Sequence, residues 1–394
     1  MPVKKFASTL LATALTTLVL TACGSSPTQP PGAALSCDAG RGALVIAASG
    51  RHHSARARVD GELRAIIERA VRAEAPVYIV GVDGEPAQTW KRPAGEPPAN
   101  GPALQDYVDS GVAAVAAALS RVRADDPQVD VLASLSTAAR VARGAGTDVA
   151  TVVLLDSGLQ TMGALDFRVP GVLAADPTEV VEHLRRVGAL PDLDGVNVLL
   201  GGLGATTGAQ PRLSDAQITN LVAIHTATAT AAGARCVAVL DTVADPLPVE
   251  SPHPVDLVPV PAAPTFISSL RPTVFHSDTI GFHPDSEDFL DAARAGQALT
   301  PIVRALRADH SLRVTVTGTC ASGTGHGRDP FELSTARANA VRALLIRDGI
   351  PGDRVLAVGV GTNFPEFVPD LSAAGELLPG PAALNRSVRL LIHP

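Results

Sequence analysis

The sequence predicts two α/β bodies: a doubly wound parallel sheet, then a smaller unit in which strands and helices alternate again. Three observations predict this. Between residues 43 and 240, short and wholly apolar runs alternate with stretches long enough for helices, the pattern of parallel strands covered on both faces. Residues 243–272 then break the alternation with a dense run of prolines. Beyond the break, strand-like runs at 312–318, 354–361 and 386–392 frame one amphipathic helix at 333–350. A length of 394 residues is ample for two domains.

Composition sets limits on cores and partners. Hydrophobic residues make up 46% of the chain but aromatics only 3%, so the cores must be built from Ala, Val and Leu. The net charge is −7 and no long basic stripe occurs, which argues against nucleic acid as a partner.

The chain opens with a targeting pattern. Lys4 and Lys5 form a basic start, and the apolar run 10–20 is too short to span a bilayer comfortably. Leu20, Thr21, Ala22 and Cys23 then match the bacterial lipobox. The expectation is a signal peptide over 1–22, cleavage before Cys23, and a lipid on its thiol. Each buried CH₂ of an acyl chain contributes roughly 0.8 kcal/mol, so a diacylated (palmitate-type) Cys23 would hold the exported protein on a membrane, facing periplasm or cell wall. Residues 24–36 are rich in Pro, Gly and Ser without periodicity and read as a tether.

Within the first body, strands are expected at 43–47, 76–80, 149–155, 195–200 and 236–240. Helices are expected at 62–73, 107–122, 129–143, 177–187 and 215–232. Leu63, Ile66, Ile67 and Ala70 share one face of the first helix, and Leu132, Leu135 and Ala139 one face of the third. This body is bounded as residues 37–243. The segment from Ala244 to Pro264 holds seven prolines and no helical period; prolines so dense exclude helix and central strand. The expectation for 244–272 is an extended, semi-rigid connector. In the helix at 333–350, Ala338, Val341, Leu344 and Leu345 form one apolar stripe, Ser334 is the expected N-cap, and Asp348-Gly349 is a stop.

The second body resembles the OmpA-like C-terminal domain, a β-α-β-α-β-β module that binds peptidoglycan. The matching residues are Val314, Val316 and Gly318; Leu333, Ser334, Arg337 and Ala338; Asp348, Gly349 and Ile350; Arg354; Gly359 and Gly361; Pro365; and Asn385, Arg386 and Val388. Upstream, Ile280-Gly281-Phe282 followed by Ser286 and Leu290 is similar to the family's first strand and helix. The resemblance covers residues 273–392 or so, with the domain bounded as 273–394. It implies a pocket in which an Asp on the strand-to-helix loop pairs with the ammonium of diaminopimelate and an Arg at the helix start pairs with its carboxylate, a match of fork to carboxylate. Arg337 occupies the Arg position. The Thr-Asp position falls on Cys320-Ala321 and the family's Asn on Pro330, so the acidic partner is missing. Asp329 is the nearest substitute. The candidate peptidoglycan contacts are therefore Arg337, Asp329, Asn385 and Arg386, and weak association is expected.

The first body resembles a von Willebrand factor A-like domain in the order and spacing of its elements, with 132–144 leading into 151–158 as the best local match. Another Rossmann-type doubly wound domain remains the alternative. In the von Willebrand family the first strand ends in Asp-x-Ser-x-Ser, whose oxygens hold a divalent cation. Here that place reads Ala47, Ala48, Ser49, Gly50, Arg51. Only Ser49 matches and Arg51 brings a positive charge, so no metal is expected; Asp156 reads as a turn residue.

Other motifs have plainer readings. Adjacent His52 and His53 point apart and read as loop residues. Residues 201–204 are glycine-rich after a strand but lack the G-x-G-x-x-G spacing, so tight-turn glycines are expected rather than a phosphate cradle. Asp278, Asp285, Glu287 and Asp288 read as a solvated helix start. G-x-S-x-G, H-E-x-x-H and C-x-x-C are absent from the sequence; no catalytic residues, cofactor or enzyme activity are assigned. Three cysteines remain after Cys23, and an oxidising compartment permits a bond. Cys37 precedes the first strand and Cys236 opens the last, so both fall at the same end of the strands and are expected to pair, leaving Cys320 as a thiol. The combined expectation is a lipid-anchored envelope protein that associates weakly with peptidoglycan, with an unidentified protein partner for residues 37–243. The alternative is an envelope scaffold that makes protein contacts through both bodies.

Overall fold

The computed structural model describes residues 35–99, 101–245, 247–251, 253, 256–261, 271–323 and 328–394. The expected signal peptide, Cys23 and most of the tether lie outside the described residues.

The first lobe is built on β1 (Ala43–Ser49), β2 (Val77–Val82), β3 (Gln88–Arg92), β4 (Ala150–Leu155), β5 (Asn197–Gly201) and β6 (Cys236–Leu240). Their order is β3-β2-β1-β4-β5-β6. All neighbours are parallel except β2 and β3. The chain winds outward from β1 in one direction and resumes on β1's other side at β4, so the order reverses between these two strands. Helices α1 (Gly61–Arg72), α2 (Pro102–Leu119), α3 (Val131–Gly144), α4 (Pro177–Arg186) and α5 (Asp215–Ala231) cover it. Every residue of β1 is buried. Leu44, Ile46 and Ala48 enter the core shared with α1 and α2, while Ala43, Val45 and Ala47 enter the core shared with α3. The period of two thus feeds two apolar layers, each fully buried Val, Leu or Ile contributing roughly 1.5–3 kcal/mol.

The Cys37–Cys236 disulfide is present, with Cα atoms 5.7 Å apart, inside the range a bond requires. The turn carrying Cys37 crosses the bottom of the sheet, and the Asn197 amide donates to the Cys37 carbonyl at 3.0 Å.

Part of the proline-rich stretch is extended but not free-standing. Asp245 N–H donates to the Arg56 carbonyl and Asp256 N–H to that of Pro127. Gln210 exchanges bonds of 2.8 and 2.9 Å with the Val258 backbone. Val249 and Val258 are buried. Residues 243–251 and 256–261 lie along the first lobe wherever they are described, which a proline count alone does not foretell.

The second lobe contains β7 (Thr273–His276), α6 (Ala292–Ala308), β8 (Arg313–Gly318), α7 (Pro330–Arg347), β9 (Val355–Gly359), α8 (Pro379–Asn385) and β10 (Ser387–His393). Its sheet runs β7-β10-β8-β9, antiparallel except for β8 with β9. Two expectations are corrected here. The first strand is β7, not 280–282, which belongs to a loop; α6 begins only at Ala292, capped by Asp291, so Ser286 and Leu290 precede it. All four consecutive residues of β7 pair with β10, and that pairing, invisible locally, decides the strand. Helix α7 also starts earlier than expected. Asp329 is the N-cap, accepting from Phe331 N and Glu332 N, with Pro330 in the first turn. Ser334 lies inside the helix: its hydroxyl donates to the Phe331 carbonyl and accepts from Gly361 N at 2.9 Å. This bolts the helix to the turn that follows β9, and it requires close approach. A Cβ on Gly318 would sit 2.2 Å from the Ser334 carbonyl oxygen, and one on Gly359 would sit 2.2 Å from Thr335 Oγ1.

Candidate ligand-binding site

The site forms where the end of β8, the first turns of α7, the start of β10 and the loop before α6 converge. Arg337 projects from α7 one helical turn beyond the Ser334 bolt. It is only 6% exposed. Its Nε donates to the Ser286 carbonyl at 2.9 Å and its Nη2 to the His283 carbonyl at 3.3 Å, and its guanidinium lies 5.2 Å from the Phe282 ring centre. The contact with Phe282 is a cation–π arrangement. Burial holds the guanidinium below its ordinary value. The Cys320 thiol lies beside it and is pushed up by burial, partly offset by the nearby Arg337 charge. Arg337 therefore donates to two carbonyls of loop 283–288, and neither Asp329 nor Glu332 is its partner.

Arg386 lies at the junction of α8 and β10. Together with Arg337, Ser277, Ile280, Phe282, Thr319 and Ser387 it lines a cavity of about 30 Å³, room for little more than a water molecule. Its fork grips Glu179 of α4: Nη1 to Oε2 at 2.8 Å and Nη2 to Oε1 at 2.5 Å. Burial lowers the Arg386 guanidinium, but the Glu179 carboxylate more than offsets this, so its net displacement is upward.

The remaining expected contacts are elsewhere. Asp329 is exposed and occupied in capping α7. Asn385 is fully buried; its amide exchanges bonds with Val368 and donates to Asp370 Oδ2 at 2.9 Å. It fixes the loop that precedes α8 rather than facing the cavity. Ala321, which holds the position of the family carboxylate, is completely buried. Sequence reasoning missed Glu179, which is 207 residues from its partner, and Asp370, a 1% exposed carboxylate that accepts from Ser322 N beside the same loop. Local sequence gives no signal for either.

The lobes meet tightly around this region. A Cβ on Gly171, whose φ is +88°, would sit 2.1 Å from the Gly380 carbonyl oxygen. Ser277 Oγ donates to the Ala174 carbonyl at 3.0 Å and Arg186 to that of Leu377 at 3.2 Å. Nearby, a larger and mainly apolar cleft of about 490 Å³ is lined by Phe167, Val169, Leu173, Val274, Ala383 and Leu384, among others.

In the first lobe, Arg51 and Asp156 face each other just past the carboxyl ends of β1 and β4, where the strand order reverses and doubly wound sheets offer a crevice. Asp156 is not a simple turn residue: Arg51 Nη2 donates to its Oδ1 and to Ser157 Oγ, each at 2.8 Å, and Arg51 Nη1 donates to the Leu159 carbonyl at 3.0 Å. The two side chains are 3% and 0% exposed. A guanidinium thus fills the space. His52 and His53 are half-buried, with His52 Nδ1 3.1 Å from the Val249 carbonyl oxygen. Gly202 and Gly204 have φ of +79° and +77°, a turn well ahead of α5. The carboxylates at 278–288 belong to the loop before α6, not a helix start, and Glu287 pairs with Arg328 at 2.6 Å. Fully buried His225, also unforeseen, lies with Nε2 2.8 Å from the Gly158 carbonyl oxygen. Among the described residues, no group of three or more His, Cys, Asp or Glu is placed to hold a metal ion, and no helix is long and apolar enough to cross a membrane.

Comparison with known proteins defines the class of the second lobe: residues 281–368 match the OmpA family, and the chain carries an OmpA-like domain in its C-terminal part. Among particular solved structures, the periplasmic domain of Helicobacter pylori MotB is similar at 15% identity over 31% of this chain and 76% of that one, with a TM-score of 0.26. The OmpA-like domain of FopA1 from Francisella tularensis is similar at 20% identity over 31% and 72%, with a TM-score of 0.23. The peptidoglycan-associated lipoprotein from Burkholderia pseudomallei is similar at 22% identity over 29% and 88%, with a TM-score of 0.24. No curated protein sequence matches the chain.

Proposed function

We propose that this is an exported envelope protein, anchored through a lipid on Cys23, whose OmpA-like domain associates weakly with diaminopimelate-type peptidoglycan. The observation that carries the reading is Arg337 on α7, inside the segment that matches the OmpA family, with Arg386, beyond that segment, on the same cavity. Two forks on one cavity suit a carboxylate. Ala321 offers no counterpart for an ammonium. A charge-assisted hydrogen bond contributes roughly 1.5–3 kcal/mol, so its absence weakens binding by one to two decades at about 1.4 kcal/mol per decade. The first lobe, with its doubly wound strand order, is read as a von Willebrand A-like module that engages a protein partner.

One observation favours the scaffold reading instead: both guanidiniums are already partnered within the chain. Retention of the full-length mature protein on purified diaminopimelate-type sacculi decides between them. Arg337→Ala is expected to abolish retention and Ala321→Asp to raise it. Because Arg337 is buried, Arg337→Lys and a thermal melt accompany the test and separate lost binding from lost folding. Tight retention of wild type that Arg337→Ala leaves unchanged in a folded protein removes the pocket assignment. If neither wild type nor Ala321→Asp is retained, the scaffold reading replaces it.

A further inference from the structure

The occupant of Arg386 is the chemical group the proposed ligand would bring. Glu179 offers a carboxylate, and both its oxygens take the two terminal nitrogens of the fork, at 2.8 and 2.5 Å. The contact crosses from α4 of the first lobe to the rim of a cavity in the second that Arg337 also lines. Glu179 is not adventitiously near. Asp176 caps α4 and fixes its first turn, and the Gly171–Gly380 contact places the segment leading into α4 directly against α8, whose end carries Arg386. Only glycine fits at either position, so the approach is set by the backbone. The pair is also poised for exchange: the side chains are 17% and 23% exposed, so neither ion is sealed away from water, and a fork that grips one carboxylate end-on accepts another of the same geometry.

We infer that Glu179 is an internal carboxylate ligand of the OmpA-like pocket, and that the first lobe thereby regulates binding by competing for Arg386. This rests on the peptidoglycan reading above. A ligand carboxylate must displace Glu179, so apparent affinity is scaled down by the fraction of molecules in which Arg386 is free. The same contact gives the first lobe a means of control. Whatever draws α4 away from α8 opens the pocket, and whatever holds the lobes together keeps it closed.

The test uses the full-length mature protein and its Glu179→Gln variant, with Glu179→Ala as a second variant should the isosteric amide keep a bond to Arg386. Sedimentation with purified diaminopimelate-type sacculi reads binding. Modification of Arg386 by phenylglyoxal, followed by mass spectrometry, reads release of the guanidinium without any ligand. Freed of its competitor, the variant is expected to bind about tenfold more tightly and its Arg386 to react severalfold faster, with melting unchanged. If wild type is retained and neither folded variant is retained better, internal competition is refuted. If nothing is retained but Arg386 becomes reactive in the variants, Glu179 stands as its internal ligand and the peptidoglycan reading falls. If Arg386 reactivity is the same in all proteins, Glu179 does not guard it.

Discussion

Removing the Arg51 guanidinium should cost the first lobe more than almost any other single substitution. Arg51→Met keeps the aliphatic stem and deletes the charge. It leaves Asp156, which is 0% exposed, with its Gly158 N–H contact at 2.6 Å but without a counterion. It also strips Ser157 Oγ and the Leu159 carbonyl of their donor. Breaking a buried pair from one side costs about 3–5 kcal/mol, because an uncompensated charge stays behind. At roughly 2–4 °C per kcal/mol for a lobe of this size, the melting temperature should fall by about 6–20 °C. Asp156→Asn should cost a similar amount for the mirror-image reason. The double substitution should cost far less than the sum of the two, since no charge is then stranded. Calorimetry of the oxidised full-length protein measures all three, and circular dichroism checks that the sheet survives. Single substitutions costing under about 1 kcal/mol, or additive effects in the double variant, would refute the pair as a strongly coupled element.

Two further outcomes follow from the geometry. Cys37→Ser, or reduction of the bond to Cys236, should cost about 2–5 kcal/mol, since it frees a loop of 199 residues in the unfolded chain; chemical denaturation with and without reductant reads it, and an unchanged midpoint means the bond does not form in solution. Gly359→Ala should destabilise the second lobe by about 1–3 kcal/mol through overpacking against Thr335, and a neutral result in a melt would show that α7 does not sit so close to β9.

How much of this was legible depended on whether the deciding interaction lay within reach along the chain. Strands β1, β2, β4 and β5 could be read because burial on both faces leaves mainly apolar runs, and β6 because its run Cys236–Leu240 is apolar although it is a half-exposed edge. Strand β3 could not: Gln88, Thr89, Trp90, Lys91 and Arg92 form a largely exposed edge, whose polar residues suit an edge strand and also a loop. The start of α7 was misplaced although its signal was present, Asp329 followed by Pro330 being a cap and first-turn pair. Ser334 competes with that signal, because a serine before an apolar stripe serves equally as a cap or as an internal bolt, and only Gly361 N, 27 residues on, decides which.

The candidate site divides along the same line, and this bears on how far motif matching can carry a function. Arg337 was identified from its neighbours in sequence, and the structure places it on the expected helix. What surrounds it is set by distant chain: carbonyls 51 and 54 residues away hold its guanidinium, and the carboxylate on Arg386 arrives from a different lobe. A motif supplies the donor but not its occupancy. Two chains with the same Arg can thus differ entirely in binding, one presenting a free fork and the other a fork already satisfied. Here the fork at Arg386 is satisfied by a pair 17% and 23% exposed, which water reaches and for which an external carboxylate can compete. The pair at Arg51 is sealed and has no such alternative. The same residue type in the same molecule is therefore structural in one lobe and exchangeable in the other, and solvent exposure of the pair, rather than the motif, separates the two roles.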